Sequence, residues 1–141
     1  MSKYKEISTE IKRKDSLIKA LEDLGIEFEI SKDGKANVIP LVSHWSSGTT
    51  QNVAVAIQRD KLSRFVGGNT YDGLGFKWNG SGYELIADHY DTNSTSTMKK
   101  INQIKQRYAF HEVKRQARIK GYNVREIQTS TGVIRLQLVG R

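Results

Sequence analysis

The sequence contains no cysteine, a single proline and no long apolar run. Without cysteine there is no disulfide framework, no thiolate zinc site and no cysteine nucleophile. No segment approaches the roughly 20 apolar residues that a membrane-spanning helix requires. The N-terminal stretch "MSKYKEISTEIKRK" also lacks the apolar centre of a secretory signal. These absences favour a reducing interior compartment and predict a protein without a membrane span.

Acidic residues are scarce in the last third of the chain. Residues 98–141 hold 11 Lys/Arg against only Glu112 and Glu126, a net charge of +9, whereas residues 1–97 hold 12 Lys/Arg and 13 Asp/Glu. The overall net charge of +8 therefore comes from the C-terminal third. A concentrated positive field of this kind attracts polyanions or acidic protein surfaces.

What is present is the composition of a globular protein. The 141 residues are 37% hydrophobic and 27% charged, which suits a folded domain and not a disordered segment. This length is enough to bury a hydrophobic core. With no domain-sized linker and no internal repeat, residues 1–141 are predicted to form one domain.

The N-terminal third predicts a strand followed by a helix. Apolar residues alternate with polar ones over 7–11, as in a half-buried strand. Asp15 occupies an N-cap position for a helix over 16–24, which ends at Gly25. The alternative is one continuous helix from about Tyr4, but the Asp15-Ser16 pair suits a helix start better than an interior.

The middle of the chain predicts short strands and loops. A turn is expected at 32–35, and Pro40 indicates a strand at a sheet edge. Residues 43–52 and 58–72 are predicted to be loops because they are polar or charged and contain glycine. Three segments have the pattern of strands: 26–31, 36–42 and 53–58.

The second half predicts a hairpin, a long helix and a second hairpin. Apolar residues flank a turn at 79–82, and a small polar connector at 91–97 leads into a helix over about 98–120 that stops at Gly121. Two strands joined by a turn at 130–132 close the chain. The predicted fold class is α+β, mainly antiparallel sheet with two helices packed on one face.

The long helix is amphipathic with a cationic outer side. Apolar residues predicted to face the core are Met98, Ile101, Ile104, Tyr108, Ala109 and Val113. The opposite side carries a predicted basic stripe of Lys100, Arg107, His111, Lys114 and Arg118. Only Glu112 is nearby in sequence to pair with it, which favours a partner-binding face over a merely solvated one.

This basic stripe predicts a binding function without catalysis. An acidic protein partner is the leading hypothesis, with Trp45 or Tyr71 as hydrophobic anchors. The alternative is RNA or DNA binding through the same face, although no RNP-type strand, GXXG loop or zinc-finger spacing is present. No cofactor or metal ligand set is indicated, and the oligomeric state is not specified by the sequence.

The stretch from Asp88 to Asp91 is the one segment that suggests chemistry, because it offers carboxylates and an imidazole. An enzyme centred on Asp88, His89 and Tyr90 is the third hypothesis. However, neighbouring residues of a strand point to opposite faces, so Asp88 and His89 are not expected to converge. The glycines of "VGGNTYDGLG" lack the spacing of a phosphate-binding loop.

Three segments together carry a resemblance to a known family: "SLIKALEDLG", "GFKWNGSGYELIAD" and "QRYAFHEVKRQARIKGYNV". In order and spacing the chain resembles the conserved hypothetical chloroplast open reading frame thirty-five, found in cyanobacteria and some algal plastid genomes. The resemblance implies cyanobacterial cytoplasm, plastid stroma or a phage-infected host cell as the setting. It brings no activity, cofactor or catalytic residue, and residues 40–70 are more polar than the family norm.

Overall fold

The computed structural model describes residues 4–8, 11–42, 51–128 and 134–140. The helices in these residues are α1 Lys14–Asp23, α2 Arg59–Val66, α3 His89–Thr92 and α4 Thr95–Ile119. The strands are β1 Tyr4–Ser8, β2 Glu29–Ile30, β3 Ile39–Leu41, β4 Gln51–Val53, β5 Val55–Ile57, β6 Leu74–Trp78, β7 Tyr83–Asp88, β8 Tyr122–Gln128 and β9 Ile134–Gly140. All paired strands are antiparallel, so the predicted α+β class is confirmed.

The described strands form three sheets, not the one sheet that was expected. A five-stranded sheet has the order β1-β7-β6-β5-β2, and β3–β4 and β8–β9 form separate ribbons. The apolar run 53–58 was predicted to be one strand, but a bend at Ala54 divides it. Its first part belongs to β4 and pairs with β3, so Gln51 and Asn52 lie in a strand and not in the predicted loop.

Strand alternation gives the five-stranded sheet two buried faces. The face covered by α1, α2 and α4 holds the main core, to which Phe76, Leu85 and Ile57 contribute. The opposite face is covered by the β3–β4 ribbon, where Leu41 and Val53 pack against the sheet. The expectation that the two long helices share one face is confirmed, since side chains of both α1 and α4 belong to the main core.

The N-terminal strand and helix are confirmed as separate elements, and the alternative of one continuous helix is wrong. The helix begins at Lys14, slightly before the predicted start, so Asp15 lies in its first turn and does not cap it. The backbone amides of Lys12 and Arg13 instead donate to the hydroxyl of Tyr108, at 2.9 and 3.1 Å. Gly25 ends the helix with a φ of 68°, as expected for a residue that must be left-handed.

Two short helices were not predicted. The supposed loop 58–72 contains α2, whose buried Leu62 and partly buried Phe65 and Val66 follow helical spacing. These apolar residues are few and lie among charged ones, so the periodicity is too short to stand out. The four-residue α3 follows β7 directly, because the Asp88 carboxylate accepts the backbone amide of Tyr90 and caps it.

The hairpin of β6 and β7 is confirmed. The side-chain oxygen of Asn79 accepts the backbone amides of Ser81 and Gly82, at 3.0 and 2.9 Å, and thereby shapes the turn. Trp78 and Tyr83 pair directly across the strands, and their rings meet edge to face with centroids 5.0 Å apart. The predicted packing of these two rings is therefore correct.

The long helix α4 and the C-terminal hairpin are also confirmed, with different bounds. The helix begins at Thr95, one turn before the predicted start, and Ser94 caps it. It ends before Gly121, whose φ is 86°.

The prediction that Ala109 and Val113 are buried is wrong, since both are exposed. The strand predicted at 26–31 is shorter in the structure, where only β2 is formed. Trp45 and the turn predicted at 130–132 lie outside the described residues.

Candidate functional site

Two members of the predicted basic stripe, Arg107 and His111, contact acidic residues of other elements within the fold. Arg107 donates to Asp23 of α1 through Nη2 and Nε, at 2.7 and 3.1 Å, and to Glu126 of β8 through Nη1, at 2.8 Å. His111 Nε2 lies 2.6 Å from the same Asp23 oxygen. The side chains of Arg107 and His111 are only 17% and 12% exposed. These two residues join α1, α4 and β8 and do not form an outward-facing surface.

The ion-pair network changes the titration of Asp23. Burial alone would raise the pKa of this carboxyl, but hydrogen bonds and charge from Arg107 and His111 outweigh it, so its pKa lies below the ordinary value. Asp23 therefore carries its negative charge firmly at neutral pH. The positive charge of Arg107 is offset by Asp23 and Glu126 and adds little to the external field.

The acidic partners of Arg107 lie on other elements than its own helix, so spacing along α4 did not indicate them. Asp23 is 84 residues away from Arg107 along the chain, and Glu126 is 19 residues away. Even Glu112, which was expected to be the local partner, is engaged by the Ser16 hydroxyl at 2.5 Å and by Arg115 at 3.3 Å. Helical spacing cannot reveal acids that tertiary folding brings to the helix.

The other three predicted residues keep cationic groups near the surface. Lys100 Nζ lies 5.1 Å from the ring centroid of Phe65, and Lys114 Nζ lies 5.8 Å from that of Phe110. Each ammonium group thus lies over an aromatic ring. Arg118 is exposed near the end of α4. In the described part of the chain, none of these three forms an ion pair within 4 Å.

Additional cations and apolar side chains surround the end of α4. Ile119 is 72% exposed and Tyr122 is 44% exposed, which is unusual for large apolar residues so close together in sequence. Lys120 and Arg125 are exposed as well. We call the following set the C-terminal surface: Lys114, Arg118, Ile119, Lys120, Tyr122, Arg125, Ile127 and Val139.

The C-terminal hairpin has one face on α4 and one face open. Glu126 bonds to Arg107 of α4, so this side of β8 faces the helix. Alternation then directs Arg125 and Ile127 to the other side, and both are exposed. The register places Gln137 opposite Arg125, and Gln137 is exposed too. The open face therefore carries Arg125, Ile127 and Gln137, and in sequence it closely follows the apolar and cationic groups at the end of the helix.

The stretch from Asp88 to Asp91 divides between the interior and the surface. Asp88 is fully buried and Asp91 is 3% exposed, whereas His89 and Tyr90 are exposed. The Asp88 carboxylate accepts the Tyr90 amide at 2.8 Å, and His89 Nε2 lies 3.2 Å from the Asn93 amide nitrogen. Asp88 and His89 therefore do not converge, as strand alternation predicts. Two clefts of about 270 and 260 Å³ lie elsewhere, beside Phe65 and beside Gln58.

Asp91 has an unusual environment. Its two carboxylate oxygens accept the backbone amides of Tyr71 and Asp72, at 2.8 and 3.0 Å. Burial raises the pKa of Asp91; the two amide bonds oppose this effect, and repulsion from Asp88 and Asp72 adds to it. Among the described residues, no group of three or more His, Cys, Asp or Glu side chains is arranged to hold a metal ion.

The same interactions bring together two exposed tyrosines that the sequence does not connect. The rings of Tyr71 and Tyr90 lie with centroids 5.1 Å apart and planes inclined by 30°. They are 41% and 46% exposed. Tyr71 is one of the two residues predicted as candidate hydrophobic anchors, and it is exposed in the structure. Its partner Tyr90 was considered only as part of a catalytic centre, since nothing in the sequence indicates that the two rings meet.

The fold and these surfaces define an α+β protein with antiparallel sheets, a basic C-terminal surface and an exposed tyrosine pair. Within the described residues, each helix is too short or too polar to span a bilayer. The chain belongs to a family described as protein of unknown function (DUF1257), whose sequence profile matches residues 20–137.

A relative confirms the resemblance seen in the sequence. The chain is 29% identical over 140 residues to the "Uncharacterized protein ycf35" of Guillardia theta. The match covers 98% of this chain and 96% of that protein, so the two share nearly their full lengths. No solved structure matches the chain.

Proposed function

We propose that this protein is a non-enzymatic accessory protein that docks on a larger assembly, where an acidic protein partner covers the C-terminal surface. The observation that carries the proposal is the exposure of Ile119, at 72%, beside the cations Arg118 and Lys120. A partner that buries this surface gains from desolvation of the apolar groups and from charge complementarity. The predicted setting is the cytoplasm of a cyanobacterium or of a phage-infected host cell, or the plastid stroma.

The predicted stripe has two roles in this proposal. Lys114 and Arg118 are four residues apart on α4 and contribute directly to the docking surface. Arg107 and His111 act indirectly, because their bonds to Asp23 and Glu126 tie the hairpin to the helices. Lys100 lies about four turns before Lys114 along α4 and is outside this surface. The functional residues are therefore shifted toward the end of the helix and into β8.

Exposed aliphatic side chains favour a protein over a nucleic acid as the partner. Nucleic-acid binding relies on Lys and Arg contacts to phosphates and on aromatic or arginine stacking against bases. Ile119, Ile127 and Val139 provide neither kind of contact. Buried apolar anchors within a rim of charge are instead typical of protein interfaces.

The test is a charge reversal with a matched control. In Arg118→Glu/Arg125→Glu, two cations of the C-terminal surface are reversed; in Lys19→Glu/Lys32→Glu, two exposed lysines elsewhere are reversed with the same change in net charge. Both variants and the wild type are used to capture proteins from a photosynthetic cell lysate, with quantitative mass spectrometry. We expect a defined set of acidic proteins to bind the wild type and the control and to be lost from the first variant.

Two results would contradict the proposal. If both variants lose the same proteins equally, the surface has no special role and net charge alone governs binding. Fluorescence anisotropy with single-stranded RNA and duplex DNA tests the alternative. Tight binding that falls steeply with salt, and that weakens selectively in Arg118→Glu/Arg125→Glu, would replace the acidic protein by nucleic acid.

A further inference from the structure

Tyr71 and Tyr90 form an aromatic pair on the surface, with ring planes inclined by 30°. Their ring centroids are 5.1 Å apart, and the two residues are 41% and 46% exposed. His89 adds an edge-to-face contact to Tyr90, with centroids 5.9 Å apart. Large aromatic side chains are normally buried because they remove much apolar area from water. A cluster that leaves both tyrosines partly exposed is therefore a candidate binding surface.

Buried carboxylates hold the pair in place. The backbone amide of Tyr90 donates to Asp88, and the backbone amide of Tyr71 donates to Asp91, each at 2.8 Å. Asp88 caps the short helix α3, and Asp91 ties α3 to the segment before β6. Each ring is thus mounted on a backbone that an acidic side chain fixes. Such a fixed arrangement lowers the conformational cost of binding.

The same carboxylates give the site a negative character. Asp88 and Asp91 are 0% and 3% exposed, and Asp88 Oδ2 has no hydrogen-bond partner among the described residues. Arg59 of α2 donates its Nε proton to the Thr70 carbonyl at 2.8 Å. Within the described part of the chain, neither Asp88 nor Asp91 forms an ion pair. Two buried carboxylates bonded to the backbone amides of both tyrosines contribute a negative potential that favours the approach of a cation.

We propose that the Tyr71–Tyr90 pair binds a cationic side chain, arginine or lysine, of a partner protein. A guanidinium or ammonium group over the tyrosine faces gains cation–π attraction, and the negative charge of Asp88 adds to it. In the described residues, four aromatic contacts already use this chemistry internally, for example Arg107 over Phe110 at 4.3 Å. Tyr90 has no such cation among the described residues. The site therefore complements a basic residue, opposite in sign to the C-terminal surface.

The experiment is an NMR titration of the ¹⁵N-labelled full chain with Nα-acetyl-arginine methylamide. Nα-acetyl-citrulline methylamide, which has nearly the same shape but no charge, is the matched probe. We expect saturable shift changes at the amides of Tyr71, Tyr90 and Asp91 with the arginine probe, and changes at least about threefold weaker in affinity with citrulline. Tyr90→Leu should abolish the saturable response.

Two further variants separate binding from folding. Val38→Ala truncates a side chain that is 67% exposed before β3 and belongs to neither proposed surface, and it should leave the response unchanged. Asp88→Asn keeps an oxygen that can cap α3 but removes the charge, so affinity should fall by about twofold to fivefold. Equal affinity for arginine and citrulline, or an unchanged response in Tyr90→Leu, would overturn the proposal. The C-terminal surface is cationic and does not attract the arginine probe. The result of this titration therefore does not depend on whether an acidic partner binds the C-terminal surface.

Discussion

The hydroxyl group of Tyr108 provides a stringent test of how the two long helices are joined. Arg13 occupies the N-cap position of α1 but offers no side-chain cap. Tyr108 of α4, which is only 7% exposed, accepts the amides of Lys12 and Arg13 instead. The substitution Tyr108→Phe removes one oxygen and leaves the ring in the core. Any loss of stability is therefore due to these two hydrogen bonds.

The magnitude follows from the exposure of the two donors. A buried amide that loses its acceptor costs about 1–3 kcal/mol, but Lys12 and Arg13 are exposed residues that water can partly reach. We therefore expect Tyr108→Phe to lower the free energy of unfolding by about 1–2 kcal/mol in total. For a protein of this size the melting temperature should fall by roughly 3–8 °C.

Urea denaturation monitored by tryptophan fluorescence measures this change. The urea midpoint should fall with an unchanged slope, and hydrogen exchange should quicken at the Lys12 and Arg13 amides. Tyr122→Phe is the control, because its ring is 44% exposed on the hairpin and should change stability by less than about 0.5 kcal/mol. Equal stability of Tyr108→Phe and the wild type would refute the capping role of the hydroxyl.

Two more outcomes are expected. The pKa of Asp23 lies below its ordinary value in the folded protein, so the pairing of Asp23 stabilises the fold above the unfolded-state pKa, and this stabilisation is lost as the pH falls through the folded-state pKa. The difference in urea midpoint between the wild type and Asp23→Asn should therefore be largest near neutral pH and shrink in acid. A difference that grows in acid would contradict the pairing. A Cβ at Gly75 would lie 2.7 Å from Val53 Cγ1, whereas one at Gly68 would meet nothing within 4 Å. Gly75→Ala should accordingly cost about 1–3 kcal/mol in thermal or urea unfolding, Gly68→Ala should be nearly neutral, and equal effects would show that the β3–β4 ribbon does not pack closely on the sheet.

Local signals in the sequence were sufficient for the elements that depend on neighbouring residues. The helix stops at Gly25 and Gly121 require a left-handed backbone, which glycine adopts most readily, and both were predicted. The turn at Asn79 is shaped by its own side chain, so the hairpin could also be identified. In contrast, α2 has too few apolar residues to show a clear period, and its Leu62 is buried by helices and strands far away in sequence.

The candidate surfaces were harder to predict because charge and exposure depend on tertiary partners. The basic stripe was derived from spacing on one helix, yet Asp23 and Glu126 neutralise Arg107, and Asp23 engages His111. The same folding exposes Val113, which the helical wheel placed in the core. An excess of Lys and Arg in a segment thus overstates its free positive charge whenever distant acids fold against it. The residues best suited to contact a partner are those left over after this pairing, Lys114, Arg118, Lys120 and Arg125, and they lie where the helix gives way to the hairpin.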